Sequence, residues 1–347
     1  MADRKINTQG AKIPQHDGDA NDYVDQGAKE SKEYFDKNRK VFFINGMNNT
    51  PEEHVESALA LSLVQMCTVR GIYNATDGAF RDFLQCIADK DQFNGPLSLS
   101  ANHAVGIRTF FDGQLPEQAA RNALRRNMCQ LTAFDELRVA ARRYDEIFAH
   151  SQGNLILSNV LQAIMAVDGP KGISGRVVHT FGSPTVNWPQ GIVKVEQGFT
   201  FDPVTWLAGF DATWTISKVG MPSTSKNPIT HAFLEYLSRD PAFVVNRYRW
   251  GGLGVTFSLD TDGLAKCLVA MGGNFRRIEA IFDYIVDAHS YYSDDIALAY
   301  VNLIKTRPAI LNVFKNERAL KAAMIKALNT GWVTGDEKKA VAYLEAL

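Results

Sequence analysis

The clearest candidate for catalytic chemistry is Ser151, which lies between a short apolar run at 147–149 and an apolar helical pattern over 153–167. A serine becomes a nucleophile when a tight strand-to-helix turn exposes its hydroxyl and a neighbouring base accepts its proton. Such a turn needs small flanking residues. Gly153 meets that need, and Ala149 stands where the G-x-S-x-G pattern has its first glycine. The alternative interpretation is that Ser151 only caps the helix, because serine is a favoured N-cap residue.

Two backbone N–H groups could stabilise negative charge that develops beside this serine. One belongs to Gln152, at the amino end of the predicted helix, where the helix dipole is positive. The other would come from Gly46 or Met47, in the polar loop that follows an apolar strand predicted over 40–44. The alternative interpretation of this loop is an ordinary strand-to-helix turn.

An acid and a base follow further along the chain. Asp202 comes at the end of a strand predicted over 192–201, and His231 lies in a loop just before a helix. A buried acid can orient an imidazole and stabilise its cation. His231 ranks first as the base because one short predicted strand separates it from Asp202. His289 is the alternative base and Asp211 the alternative acid.

Together these motifs resemble the α/β-hydrolase superfamily, and most nearly its bacterial lipases and esterases of the class-3-lipase-like type. The order serine, acid, histidine is that of this superfamily. The resemblance spans about residues 40–240. It is carried by residues 43–47, 149–153, 181–184 and 202–204 and by His231.

The resemblance implies an α/β-hydrolase fold, with a mostly parallel central sheet flanked by helices. It also implies hydrolysis of carboxylic esters through an acyl-enzyme on Ser151, with no cofactor and no metal. The expected substrate is lipid-like or another acyl ester. Two alternatives stay open. The same site could transfer the acyl group as an acyltransferase or thioesterase, or the chain could be a non-catalytic binding protein on a hydrolase scaffold.

Composition argues against several other classes of protein. The 347 residues carry 37 basic and 38 acidic side chains, a net charge of −1, so the concentrated basic surface of a nucleic-acid-binding protein is not expected. The four cysteines have no CxxC spacing, which argues against a zinc site. No apolar window approaches the ~20 residues of a transmembrane helix. Without an apolar leader, the chain is predicted to be cytoplasmic as synthesised, and any export would use a leaderless route.

Three segments are predicted: a polar arm at 1–39, the catalytic domain at 40–250 and a helical module at 251–347. The arm is either flexible or a strap over the core. The pattern of the module predicts successive short helices, which could present a surface to a protein partner. Its helices are predicted at 259–271, 275–288, 294–306, 311–327 and 336–347.

Overall fold

The structure is a computed structural model. It describes residues 6, 8–30, 35–75, 117–125, 127–139, 144, 146–185, 188–199, 202–208, 219–220, 229–237, 261–288 and 293–347. The chain divides into two compact units, Ile6–Leu237 and Ser238–Leu347.

The first unit is built on a seven-stranded sheet with the strand order β1-β3-β2-β4-β5-β6-β7. The strands are β1 Ala20–Tyr23, β2 Asp36–Ile44, β3 Cys67–Ile72, β4 Glu146–His150, β5 Val177–Phe181, β6 Val193–Phe199 and β7 Val219–Gly220. Within the described residues, β1 is antiparallel to β3 and the other neighbouring strands are parallel. This confirms the prediction of an α/β protein with a mostly parallel sheet.

The pairing of β2 with β4 determines which loops meet at the carboxyl edge of the sheet. Ile44, the last residue of β2, is level with Ala149 of β4. The side chains of residues 41–44 are fully buried, as expected for a parallel strand covered on both faces. The loop after β2 therefore begins beside the turn that carries Ser151.

Helices flank the sheet. Those of the first unit are α1 Gln26–Glu30, α2 Pro51–Gln65, α3 Glu117–Leu124, α4 Met128–Val139, α5 Gln152–Asp168, α6 Pro203–Ala208 and α7 Phe233–Leu237. The start of α2 is fixed by a capping box, in which Thr50 and Glu53 each accept a hydrogen bond from the other's backbone N–H. Pro51 occupies the first turn of α2, where no N–H is needed.

Part of the predicted polar arm differs from expectation. Residues 20–23, within the segment 1–39, form the edge strand β1 and pair with β3. Tyr23 is 2% exposed and anchors this strand in the core. The loop before the strand is tied down by Asp17, whose carboxylate accepts hydrogen bonds from the backbone N–H groups of Ala75 and Cys129.

The second unit is helical throughout its described residues. Its helices are α8 Thr261–Ala270, α9 Phe275–Ala288, α10 Ser293–Lys305, α11 Pro308–Phe314, α12 Arg318–Leu328 and α13 Gly335–Ala346. The single helix predicted over 311–327 is wrong: it is divided between α11 and α12. Pro308 starts α11 because it is accepted in a first turn. None of the described helices combines the length and the apolarity that a membrane crossing requires.

Candidate active site

Ser151 occupies a strained turn between β4 and α5. The residue is 2% exposed, so its hydroxyl does not project into open space as the sequence predicts. Its backbone angles are φ 55° and ψ −128°, a backbone conformation that residues other than glycine rarely adopt. The turn is held by hydrogen bonds from the Ser151 N–H to the Phe181 carbonyl at 3.0 Å and from the Asn154 N–H to the Ser151 carbonyl at 2.9 Å. The Ser151 side chain makes no capping hydrogen bond to the helix. Ser151 therefore occupies the N-cap position of α5 without using its side chain as a cap.

Two glycines allow the backbones around this turn to approach each other. A Cβ atom on Gly153 would lie 2.7 Å from the Ile44 carbonyl oxygen, so only glycine lets α5 start this close to the end of β2. A Cβ atom on Gly46 would lie 2.4 Å from Ser151 Cβ. Ala149 is fully buried in the apolar core, which explains how a methyl group is accepted at this position of the motif.

Asp202 and His231 form a hydrogen-bonded pair, with 2.7 Å between Oδ2 of the carboxylate and Nδ1 of the imidazole. Asp202 is fully buried just beyond β6. Its Oδ1 accepts a hydrogen bond from the Val204 N–H at 2.8 Å, and its Oδ2 also accepts one from the Tyr236 hydroxyl. Burial alone would raise the pKa of Asp202, but the hydrogen bonds from His231, Tyr236 and Val204 outweigh it and lower that pKa. The carboxylate is therefore held in its ionised form.

The pairing determines the tautomer of His231. A carboxylate only accepts hydrogen bonds, so Nδ1 carries a proton, and in the neutral tautomer Nε2 is the nitrogen with the lone pair. Nε2 is buried and has no hydrogen-bond partner among the described residues. Nε2 is therefore the atom through which a neutral His231 could act as a base. The described part of the structure contains no hydrogen bond between Ser151 Oγ and His231 Nε2, a contact that commonly tightens only when substrate binds.

Neighbouring residues bring His231 to the same edge of the sheet as Ser151. The His231 ring lies against the ring of His150, with 4.7 Å between their centroids. Gly182 is also close to the pair, since a Cβ atom there would lie 2.7 Å from His231 Cε1 and 2.8 Å from Asp202 Oδ2. Gly182 has φ 55° and directly follows Phe181, which accepts the hydrogen bond of the Ser151 N–H.

The loop that bears Gly46 and Met47 reaches Ser151 from the end of β2. A Cβ atom on Gly46 would be 3.1 Å from Ser151 Oγ, so this loop passes directly over the hydroxyl. Met47 follows in the same loop. Gln152 is the first residue of α5, where backbone N–H groups have no acceptor within the helix. The arrangement can bind negative charge next to Ser151.

Several predicted or overlooked residues complete the account. The alternative base His289 and the alternative acid Asp211 lie outside the described residues. No role was predicted from the sequence for Tyr236, Asn45 or Asn74. A signal was available for the two asparagines, since each follows a buried strand closely, whereas nothing in the sequence marked the tyrosine. Among the described residues no group of three or more His, Cys, Asp or Glu side chains could hold a metal ion.

Comparisons with known proteins do not add to this account. No protein-family model, curated protein or solved structure matches the chain.

Proposed function

We propose that this protein is a serine hydrolase that cleaves carboxylic esters through an acyl-enzyme on Ser151, on an α/β-hydrolase fold. The observation that carries the proposal is the Asp202–His231 pair, whose imidazole has a buried, unpartnered Nε2 at the edge of the sheet where Ser151 occupies its strained turn. Strain is retained at a position only when the surrounding structure enforces it, and such positions concentrate at active sites.

In the proposed reaction, the Ser151 hydroxyl attacks the ester carbonyl while His231 Nε2 takes its proton. Asp202 holds the imidazole in the required tautomer and stabilises its cation. The N–H groups of Gln152 and of Gly46 or Met47 bind the developing oxyanion. His231 then returns the proton to the leaving alcohol. Water, activated by the same imidazole, releases the acid from Ser151.

A lipid-like or other acyl ester is the proposed substrate class, in line with the resemblance of the motifs to lipases and esterases. No cofactor or metal has a part in the proposed reaction. The pair formed by His231 and Asp202 carries out every proton transfer in the proposed reaction. Backbone N–H groups stabilise the negative charge that develops on the substrate oxygen.

The test combines active-site labelling with ester hydrolysis. We expect a fluorophosphonate probe to label the parent on Ser151, and Ser151→Ala and His231→Ala to lose hydrolysis of a series of p-nitrophenyl esters by about 10³-fold or more. His289→Ala is the matched control and should keep most of the activity. Activity lost in His289→Ala and kept in His231→Ala would move the base to His289.

Two outcomes would replace the proposal with the alternatives. Folded parent protein that the probe does not label at Ser151 would indicate a non-catalytic binding protein. An acyltransferase would be indicated by two results together. The probe would label Ser151, and an added alcohol or thiol acceptor would give an ester or thioester product in place of free acid. Faster release of free acid from a thioester than from the matching oxygen ester would indicate a thioesterase.

A further inference from the structure

The side chain of Asn45 organises the loop that passes over Ser151. Asn45 directly follows β2 and is fully buried. Its Nδ2 donates hydrogen bonds to the carbonyls of Gly46 at 2.8 Å and Asn74 at 2.9 Å. Its Oδ1 accepts from the Asn74 N–H and from His54 Nδ1, both at 2.8 Å. A side-chain amide offers two donors and two lone pairs, so the capacity of Asn45 is filled.

Asn74 extends these contacts to the residue after the serine. It lies just beyond β3, and its side-chain Nδ2 donates a 2.9 Å hydrogen bond to Oε1 of Gln152. Asn74 and Gln152 are 1% and 2% exposed, so this bond lies in the dry interior, where hydrogen bonds are strong and reinforce one another. A continuous chain of hydrogen bonds thus runs from Gly46 through the two asparagines to Gln152.

The bond from Asn45 to Gly46 also determines the direction of the next N–H group. No cis peptide bond occurs among the described residues, and in a trans peptide the carbonyl and the following N–H point in opposite directions. Because the Gly46 carbonyl points at Asn45, the Met47 N–H points away from it. Asn45 therefore fixes the orientation of the Met47 N–H. Asn74 fixes the side chain of Gln152, the residue that bears the other candidate N–H.

His54 supports this arrangement from α2. Its ring stacks on Phe43 and meets the edges of Tyr23 and Tyr73, with centroids 5.5 to 5.8 Å away. Burial lowers the pKa of His54 to about 3, which keeps the imidazole neutral. A neutral ring with its proton on Nδ1 is what the Oδ1 atom of Asn45 requires.

We propose that Asn45 and Asn74 are positioning residues for the oxyanion hole, and that Met47 rather than Gly46 supplies its second N–H. The inference rests on the proposed ester hydrolysis. Oxyanion donors are effective because they are held in place before charge develops. Releasing them should weaken binding of the transition state while leaving binding of the ground-state ester almost unchanged.

The test removes the bond between Asn74 and Gln152. Asn74→Ala deletes the side-chain donor but keeps the backbone groups that bind Asn45. Deleting one oxyanion donor outright lowers kcat by about 10²–10³-fold, so we expect loosening one to lower kcat about tenfold with KM nearly unchanged. The affinity for an alkyl boronic acid, which forms a tetrahedral adduct on a catalytic serine, should weaken by a similar factor.

A second variant and a matched control separate this role from a structural one. Gln152→Ala cuts the same bond from the other end and keeps the test informative if Asn74→Ala does not fold. The double variant should lose no more kcat than the more impaired single variant, because both substitutions remove the same interaction.

Gln162→Ala is the control. It deletes a buried amide that donates to Ser158 Oγ at 3.1 Å. Gln162 lies about 15 Å further along α5 than Gln152, at 1.5 Å per residue. The control substitution should lower stability but leave kcat and boronic acid affinity unchanged.

The possible failures are distinguishable. Unchanged kcat and boronic acid affinity in both folded single variants, or losses that simply add in the double variant, would overturn the inference while the parent stays active and dependent on Ser151. A parent that neither hydrolyses esters nor binds the boronic acid would overturn the proposed function together with this inference.

Discussion

Nε2 of His150 donates a 2.7 Å hydrogen bond to the main-chain carbonyl of His231. A carbonyl only accepts, so Nε2 carries the proton. Burial, together with the neighbouring His231, lowers the pKa of His150 to about 3 and keeps this ring neutral. The residue before the proposed nucleophile therefore holds the loop that carries the proposed base, and it does so through the backbone.

Removing this donor should impair catalysis without changing the residues that perform it. His150→Phe keeps an aromatic ring against His231 but cannot donate to its carbonyl. We expect kcat for ester hydrolysis to fall by about tenfold, because a base displaced by a fraction of an ångström loses much of its effect. The control is His179→Phe. His179 stacks on Phe148 at 4.4 Å and binds Glu146, within the strands and away from their carboxyl ends, so kcat should not change. Equal kcat in both variants would contradict this role for His150.

The contact of Gly182 with the acid–base pair predicts an activity loss that strain alone would not cause. Gly182→Ala forces a Cβ atom to within 2.7 Å of His231 and 2.8 Å of Asp202, so the pair must move. Gly175→Ala is matched for strain, since Gly175 has φ 77° but nothing within 4 Å of a Cβ atom. Both variants should lose about 1 kcal/mol of stability from the left-handed backbone. Only Gly182→Ala should lose ester hydrolysis, by about 10²-fold. Similar kinetics in the two variants would refute the prediction.

The buried imidazoles of His54 and His150 predict how stability depends on pH. Burial lowers the pKa of each to about 3. In the unfolded chain the histidine pKa is about 6.5, so between these values the unfolded state binds more protons and the free energy of unfolding falls as the pH falls. Each group contributes a slope of up to about 1.4 kcal/mol per pH unit. Together they should lower the free energy of unfolding by about 4 kcal/mol from pH 7 to pH 5.

Urea unfolding of the parent and of His150→Phe over this pH range tests the prediction. The variant has one of the two groups removed, so its free energy of unfolding should change with pH about half as steeply. Stability that does not change between pH 7 and pH 5 would contradict the prediction, because it would show that the two imidazoles bind protons as readily in the folded protein as in the unfolded chain.

The local chemistry of the site could be predicted from the sequence because it follows strand ends. Strand-length runs and the polar residues, glycines or proline that follow them mark where β2, β4 and β6 finish, and parallel strands bring those ends to one edge of a sheet. The hydrogen bond between Asp202 and His231 is the kind of contact that this rule predicts. The turn at Ser151 is likewise marked by Gly153, two residues further along the chain.

The contacts that hold the site in place could not be predicted in the same way. Tyr236 reaches Asp202 across 34 residues of sequence, and Asn74 reaches Gln152 across 78. Such pairs depend on how elements pack, which no local pattern records. The edge strand β1 was missed for a related reason: its four residues are mostly polar, and its one large side chain, Tyr23, is buried only because the strand pairs with β3.

The strand that bears Ser151 lies in the middle of the sheet, and this has a consequence for how the protein could diverge. On one flank, the loop after β2 bears Met47, proposed as the second oxyanion donor, and the segment after β3 bears Asn74. On the other flank, the segments after β6 and β7 hold the proposed acid and base. The second oxyanion donor and the acid–base pair are thus encoded in separate stretches of chain. Variation on one flank can reshape recognition of the ester while proton transfer on the opposite flank stays intact.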